Sequence, residues 1–218
     1  MKILKPPQSG SLAGQTASRN RFGQYERTRA IPVNPSSTAQ GLVRARMSAN
    51  SAAWRGLTSA QRAGWCDLGL SMVRTDPLGQ SYNLQGNQAH ASVNNNRLLS
   101  SLAVVADAPG VATPVALTGV VITLTSIAFS VAYTATPLAA ATYLAIFASP
   151  QRSAGRNFEA DFRFMKLSAA AAASPLAILA EYTAKFGVPV VGNKIFISCI
   201  TLTLGFESGP LVASAVVA

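Results

Sequence analysis

Ile122-Thr-Leu124-Thr-Ser-Ile127-Ala-Phe129-Ser-Val131-Ala-Tyr133-Thr134 sits inside a longer run, residues 108–151, that carries no charged side chain. Such a run reads either as a membrane-spanning helix or as a series of strands. A spanning helix needs about 20 unbroken apolar residues, and Pro109, Gly110, Pro114, Gly119 and Pro137 interrupt this one. Its large side chains at 122, 124, 127, 129, 131 and 133 alternate with small or polar ones. That period of two belongs to pleated strands. The run is therefore β, and no membrane is expected among the partners of the chain.

The pattern continues to the C-terminus. Strands are expected at 115–124, 127–134, 142–148, 158–167, 193–204 and 211–217, with turns at Pro137, 149–155, 187–192 and 205–210. Residues 169–186 are Ala-rich and end in Glu181-Tyr182-Thr183-Ala184-Lys185-Phe186, which reads as one helix. Six or seven short strands in about 100 residues suggest an antiparallel β-sandwich.

Upstream the period changes. Ser37-Thr38 caps a helix running to about Trp54, with Leu42, Met47 and Trp54 on one face. Thr58-Ser59-Ala60-Gln61 matches a capping box and opens a second helix with Gln61, Trp65, Leu68 and Met72 along one stripe. The two read as a helical hairpin pinned by Trp54 and Trp65. Asp76-Pro77-Leu78-Gly79 is a turn, 80–85 a short extended piece, and 86–102 an Asn-rich third helix. Residues 106–113 read as a linker.

Residues 1–36 have no hydrophobic period and are punctuated by Pro6, Pro7, Gly10, Gly14, Gly23, Pro32 and Pro35. An arm of this composition gains order from a partner, since it cannot bury enough of its own surface to offset the entropy of ordering. The expected fold class is α+β, mainly β: an extended basic arm (1–36), a helical region (37–105), the linker (106–113) and the sandwich (114–218).

Charge is distributed unevenly. Residues 1–75 hold eleven Lys and Arg against Glu26 and Asp67, which is +9 of the chain's +10. Only 12% of residues are charged, about half the usual share, and a surface this poor in charge suits burial in an assembly. Met1 to Lys5 leads into Pro6-Pro7, without the apolar stretch of about 7–15 residues that a signal peptide uses. Cys66 and Cys199 lie too far apart in sequence for a metal-binding spacing and read as two small buried hydrophobes.

Catalytic chemistry finds little support. His90 stands in an Asn/Ala-rich context and reads as a surface or cap histidine. Glu159 and Asp161 fall on one strand face among Arg156, Arg163 and Lys166, as solvated charge. Gly10-x-x-x-Gly14 lacks the strand before it and the Lys-Ser/Thr after it that a P-loop needs, and Ser153-Ala154-Gly155 is no nucleophile elbow. No enzyme, cofactor or metal is expected.

The constellation that remains is three Arg-x-Arg pairs: Arg19/Arg21, Arg27/Arg29 and Arg44/Arg46, with Phe22 and Tyr25 between the first two. Arginines and aromatics serve protein interfaces, and they also serve phosphates and unpaired bases. Strung along an arm rather than gathered on one helical face, they favour protein docking by Arg19, Arg21, Phe22, Tyr25, Arg27 and Arg29.

Gly14…Asn20-x-x-Gly23-x-Tyr25-x-Arg27-x-Arg29…Pro32-x-Asn34-Pro35…Thr38-x-Gln40…Arg44, then Trp54-x-x-Leu57-Thr58-x-x-Gln61-Arg62-x-x-Trp65 and Tyr82-x-Leu84-x-Gly86-x-x-Ala89, resembles virion-type structural proteins encoded in tailed-phage and prophage genomes. Ala148-x-Pro150-x-x-Ser153-x-Gly155 and Tyr182-x-x-x-Phe186-Gly187…Gly192-x-Lys194-Ile195-Phe196-Ile197 look like an immunoglobulin- or fibronectin-III-like domain, with Tyr182 where a tyrosine corner would stand. The resemblance implies a capsid decoration or cement protein, or a tail accessory subunit, located in the virion with other virion subunits as partners. Two alternatives stand beside it: a nucleic-acid-binding or packaging protein using the arm, and a surface- or glycan-binding adhesin using sandwich loops such as 151–157.

Overall fold

The structure, a computed structural model, describes residues 9–21, 23–31, 33–34, 36–76, 78–134 and 136–218. The chain falls into two compact units, Met1–Val43 and Arg44–Ala218.

The first unit holds a three-stranded antiparallel ribbon of β1 (Gly10–Leu12), β2 (Gln15–Asn20) and β3 (Gly23–Thr28), in that order. Leu12 pairs with Gln15 across Ala13-Gly14, whose φ angles are 45° and 84°. Two positive φ values in a two-residue loop make the turn whose twist matches paired strands. The arm is thus not a single extended segment: its polar strands pair with one another through tight turns.

Helix α1 (Thr38–Gly56) runs from the first unit into the second. Leu42 and Met47, expected on a packed face, are 56% and 44% exposed, and Asn50 is the helix's one buried residue. Helix α2 (Ser59–Ser71) starts at the expected capping box: Gln61 N–H donates to Thr58 Oγ1 at 3.3 Å, and Thr58 N–H to Gln61 Oε1 at 2.9 Å. A hairpin of β4 (Val73–Thr75) and β5 (Ser81–Asn83) leads to α3 (Gly86–Leu99). Trp65 and Leu68 of α2 pack with Ala89 and Val93 of α3. The 106–113 segment, read as a linker, lies along this core. Ala106 O accepts from Trp65 Nε1 at 2.7 Å, and Ala108 and Ala112 pack against the cluster.

The remaining strands form two antiparallel sheets over one core. One contains β6 (Gly119–Leu124), β7 (Phe129–Thr134) and β11 (Leu176–Ala177), in the order β11-β7-β6. The other centres on β12 (Asn193–Thr203). One edge of β12 pairs with β8 (Thr142–Ala148) and, beyond a break, β9 (Arg152–Ser153); the other pairs with β14 (Leu211–Val216) and β13 (Phe206–Glu207). β10 (Arg163–Leu167) lies outside β8. Phe129, Val131 and Tyr133 from one sheet meet Leu144, Ile146, Ile195 and Ile197 from the other, as the period of two requires. The whole is an α+β chain dominated by antiparallel sheet.

The long helix expected over 169–186 is only α4 (Leu179–Phe186). The alanines before it carry no apolar stripe, and Leu176–Ala177 pairs with β7 instead. The strand expected from residue 158 begins at Arg163, because 154–162 is a loop built around Glu159.

A hairpin joins the sheets to the helices. The turn between β12 and β13 passes through Leu204 and Gly205, and Phe206 enters the helical core. Arg97 donates to Leu204 O at 3.4 Å, Asn96 to Gly205 O at 3.0 Å, and Arg74 pairs with Glu207.

Candidate functional site

Three constellations carry chemistry: the basic ribbon, a buried aromatic cluster among the helices, and the loops at one end of the sheets. In the ribbon, Ser18 stands opposite Tyr25, Thr16 opposite Arg27 and Arg19 opposite Gln24. Successive strand residues face opposite ways, so Tyr25 and Arg27 share a face while Arg19 lies on the other with Gln24 and Glu26. Arg21 occupies the connecting turn. Arg29 follows β3, its N–H donating to Gly14 O at 2.7 Å. Arg19, Arg21, Tyr25, Arg27 and Arg29 are all exposed. Phe22 lies outside the described residues, as do Lys2, Lys5, Pro6, Pro7, Pro32, Pro35 and Pro77. The ribbon brings Tyr25 and Arg27 together and separates Arg19 from them.

Trp54 of α1 packs against the cluster that holds Trp65 of α2, and His90 of α3 lies against both rings. The imidazole lies 5.5 Å from the Trp54 ring and 5.0 Å from the Trp65 ring, edge-on to the latter. His90 is therefore buried, not a surface or cap residue, and among the described residues neither ring nitrogen has a hydrogen-bond partner. Burial holds its pKa below the ordinary 6.5. Sequence gave no sign of this, because a lone histidine among Asn and Ala has no apolar stripe to place it. The neighbouring Asn94 was equally hidden: its amide brackets Val105, accepting from Val105 N–H at 3.0 Å and donating to Val105 O at 3.2 Å.

At the end of the sheets away from the helices, Glu159 organises a loop. Its carboxylate pairs with Arg152 and lies 3.4 Å from Arg156 Nε, and it accepts the N–H groups of Ala160 and Asp161 at 3.0 Å each. The Arg152 hydrogen bond, with those backbone donors, lowers its pKa to about 2. Glu159 is buried in a loop rather than solvated on a strand face. Arg152 also lies 3.8 Å from Asp161, and Arg163 lies 3.6 Å from that carboxylate. Gln151 ties this loop to the 187–192 loop: its Nε2 donates to Val188 O at 2.9 Å, and its Oε1 accepts from Val190 N–H at 2.8 Å.

Of the two cysteines only Cys199 is buried, its thiol pushed up to about 12 by burial; Cys66 is exposed. Among the described residues no group of His, Cys, Asp and Glu could hold a metal ion, and no helix is long and apolar enough to cross a membrane. Comparison with known protein families and with curated proteins finds no match.

Proposed function

We propose that the chain is a non-enzymatic virion structural subunit, a capsid decoration, cement or tail accessory protein. Its basic ribbon and helices dock on neighbouring subunits, and its β domain is an immunoglobulin- or fibronectin-III-like sandwich. The observation that carries this reading is the ribbon: among its described residues none is buried. Three strands need a hydrophobic face or a packed partner to hold together in water, so a ribbon without a core calls for a surface to lie on. Exposed arginines and Tyr25 are the residue types that interfaces enrich.

The sandwich assignment rests on strand order. With the two-residue β9 and β13 set aside, β6, β7 and β11 are the first, second and fifth strands in one sheet and β8, β10, β12 and β14 the third, fourth, sixth and seventh in the other, an order that supports a fibronectin-III-like arrangement. Tyr182, buried before the sixth strand, donates to Ser149 O at 3.2 Å, as a tyrosine corner would bind backbone.

The test is deletion of residues 1–36 during co-expression with the other particle subunits. The shortened chain is expected to remain soluble and folded by circular dichroism yet to be missing from purified particles. Normal incorporation overturns the proposal. A second reading, nucleic-acid packaging, draws on Tyr25 and Arg27 sharing a face. It requires binding to duplex DNA that weakens with salt, at a log–log slope of about −0.9 per phosphate contact.

A further inference from the structure

Three loops converge at the end of the β domain opposite the Leu204–Gly205 turn. They are the β6–β7 turn, the 154–162 loop and the 187–192 loop. Hydrogen bonds join their bases: Ala218 N–H to Leu124 O at 3.2 Å, Gly192 N–H to Val217 O at 3.0 Å, and the Gln151 bridge already described. At ~3.3 Å per residue the length of β12 puts this pole roughly 30 Å from the helical core.

Large apolar side chains stand out from all three loops. Exposure is 85% at Ile127, 75% at Phe158, and 59%, 57% and 65% at Val188, Val190 and Val191. Part of the backbone beneath them is satisfied from inside. Thr125 N–H bonds to Ala128 O at 2.8 Å and Asn193 N–H to Val190 O at 3.1 Å; Phe158 O accepts from Arg156 at 2.7 Å, and Pro189 has no N–H to satisfy. Arg152, Arg156 and Arg163, which pair with Glu159 and Asp161, and Lys185 and Lys194 lie in or beside the loops in sequence, five cations to two acids.

We propose that this pole is a docking surface for an anionic lipid bilayer. Ile127, Phe158 and the three valines enter the interface while the cations meet phosphate headgroups. Charge complementarity selects an anionic surface. Large apolar side chains flanked by cations suit a bilayer surface, where apolar tips enter the interface and cations face the headgroups. This departs from the expectation that no membrane is a partner, which follows from the lack of a spanning helix; loops resting on a surface need none.

The test is sedimentation of the full chain with vesicles of phosphatidylcholine, alone or mixed with phosphatidylglycerol. The chain is expected to pellet with the mixed vesicles. Phe158→Ser with Val190→Ser should weaken binding about tenfold or more, with the far-UV spectrum unchanged. Leu78→Ser, at an exposed turn among the helices, should bind like the wild type. No binding to the mixed vesicles overturns the proposal. So does undiminished binding by the double variant, which assigns vesicle binding to the arginines of the ribbon.

Discussion

At the scale of single residues, two buried titratable groups begin to lose stability at different pH values. His90 is enclosed by Trp54 and Trp65 with no partner for either nitrogen, so the folded state holds it neutral and its pKa lies below 6.5. A group lowered in this way contributes its full stability above 6.5 and loses it progressively as pH falls from there through its folded-state pKa. Glu159, at about 2 against an ordinary 4.5, contributes above 4.5 and is lost only as pH falls from there. Urea midpoints should therefore drop below pH 6.5 in the wild type, before Glu159 titrates. In His90→Phe that first drop should vanish, with a neutral-pH midpoint at or above wild type, because an unpartnered buried polar group costs about 1–3 kcal/mol. A persisting drop would place the titrating group elsewhere.

At the scale of elements, what was legible followed from local rules. The Thr58/Gln61 capping box needs four consecutive residues, and β8 and β12 are apolar strands bounded by turn residues; all three stand where they were expected. The ribbon was missed because its strands are polar on both faces and give periodicity nothing to detect. The 169–178 stretch was misread because alanine favours a helix without specifying a face. The β12–β13 turn was invisible as an anchor, since what fixes it comes from α3, more than a hundred residues earlier. Gly205 has φ 98°, and a Cβ there would lie 2.6 Å from Val93 O and 2.8 Å from Val93 Cγ1. Gly205→Ala should therefore destabilise by more than about 2 kcal/mol in urea. Gly209→Ala, with nothing within 4 Å of its Cβ, should stay within about 0.5 kcal/mol. Equal effects would show that the turn is not wedged.

At the scale of the molecule, residues 44–218 behave as one body rather than helices and sheets tied by a linker. Phe206 crosses into the helical core, Thr201 Oγ1 donates to Val115 O at 2.8 Å, and the 106–113 strap runs along α2. Both tryptophans belong to the helical part, so their fluorescence reports that part alone, whereas far-UV circular dichroism includes the sheets. The two probes should give coincident denaturant transitions; a tryptophan transition at lower denaturant would mean that the helices unfold separately. The candidate sites were less legible than the fold, because neither the facing of Tyr25 and Arg27 nor the meeting of three loops at one pole is a property of spacing.

The wedged turn at Gly205 also bears on how such a chain diversifies. Val93 leaves no room there for a side chain, so descent with modification is held nearly still at that end of β12. At the far end Gly155 has nothing within 4 Å of where a side chain would grow and no positive φ, and surface loops tolerate change in sequence. Lineages would therefore inherit a constant base and a changeable tip, and adaptation to new surroundings would accumulate at the tip.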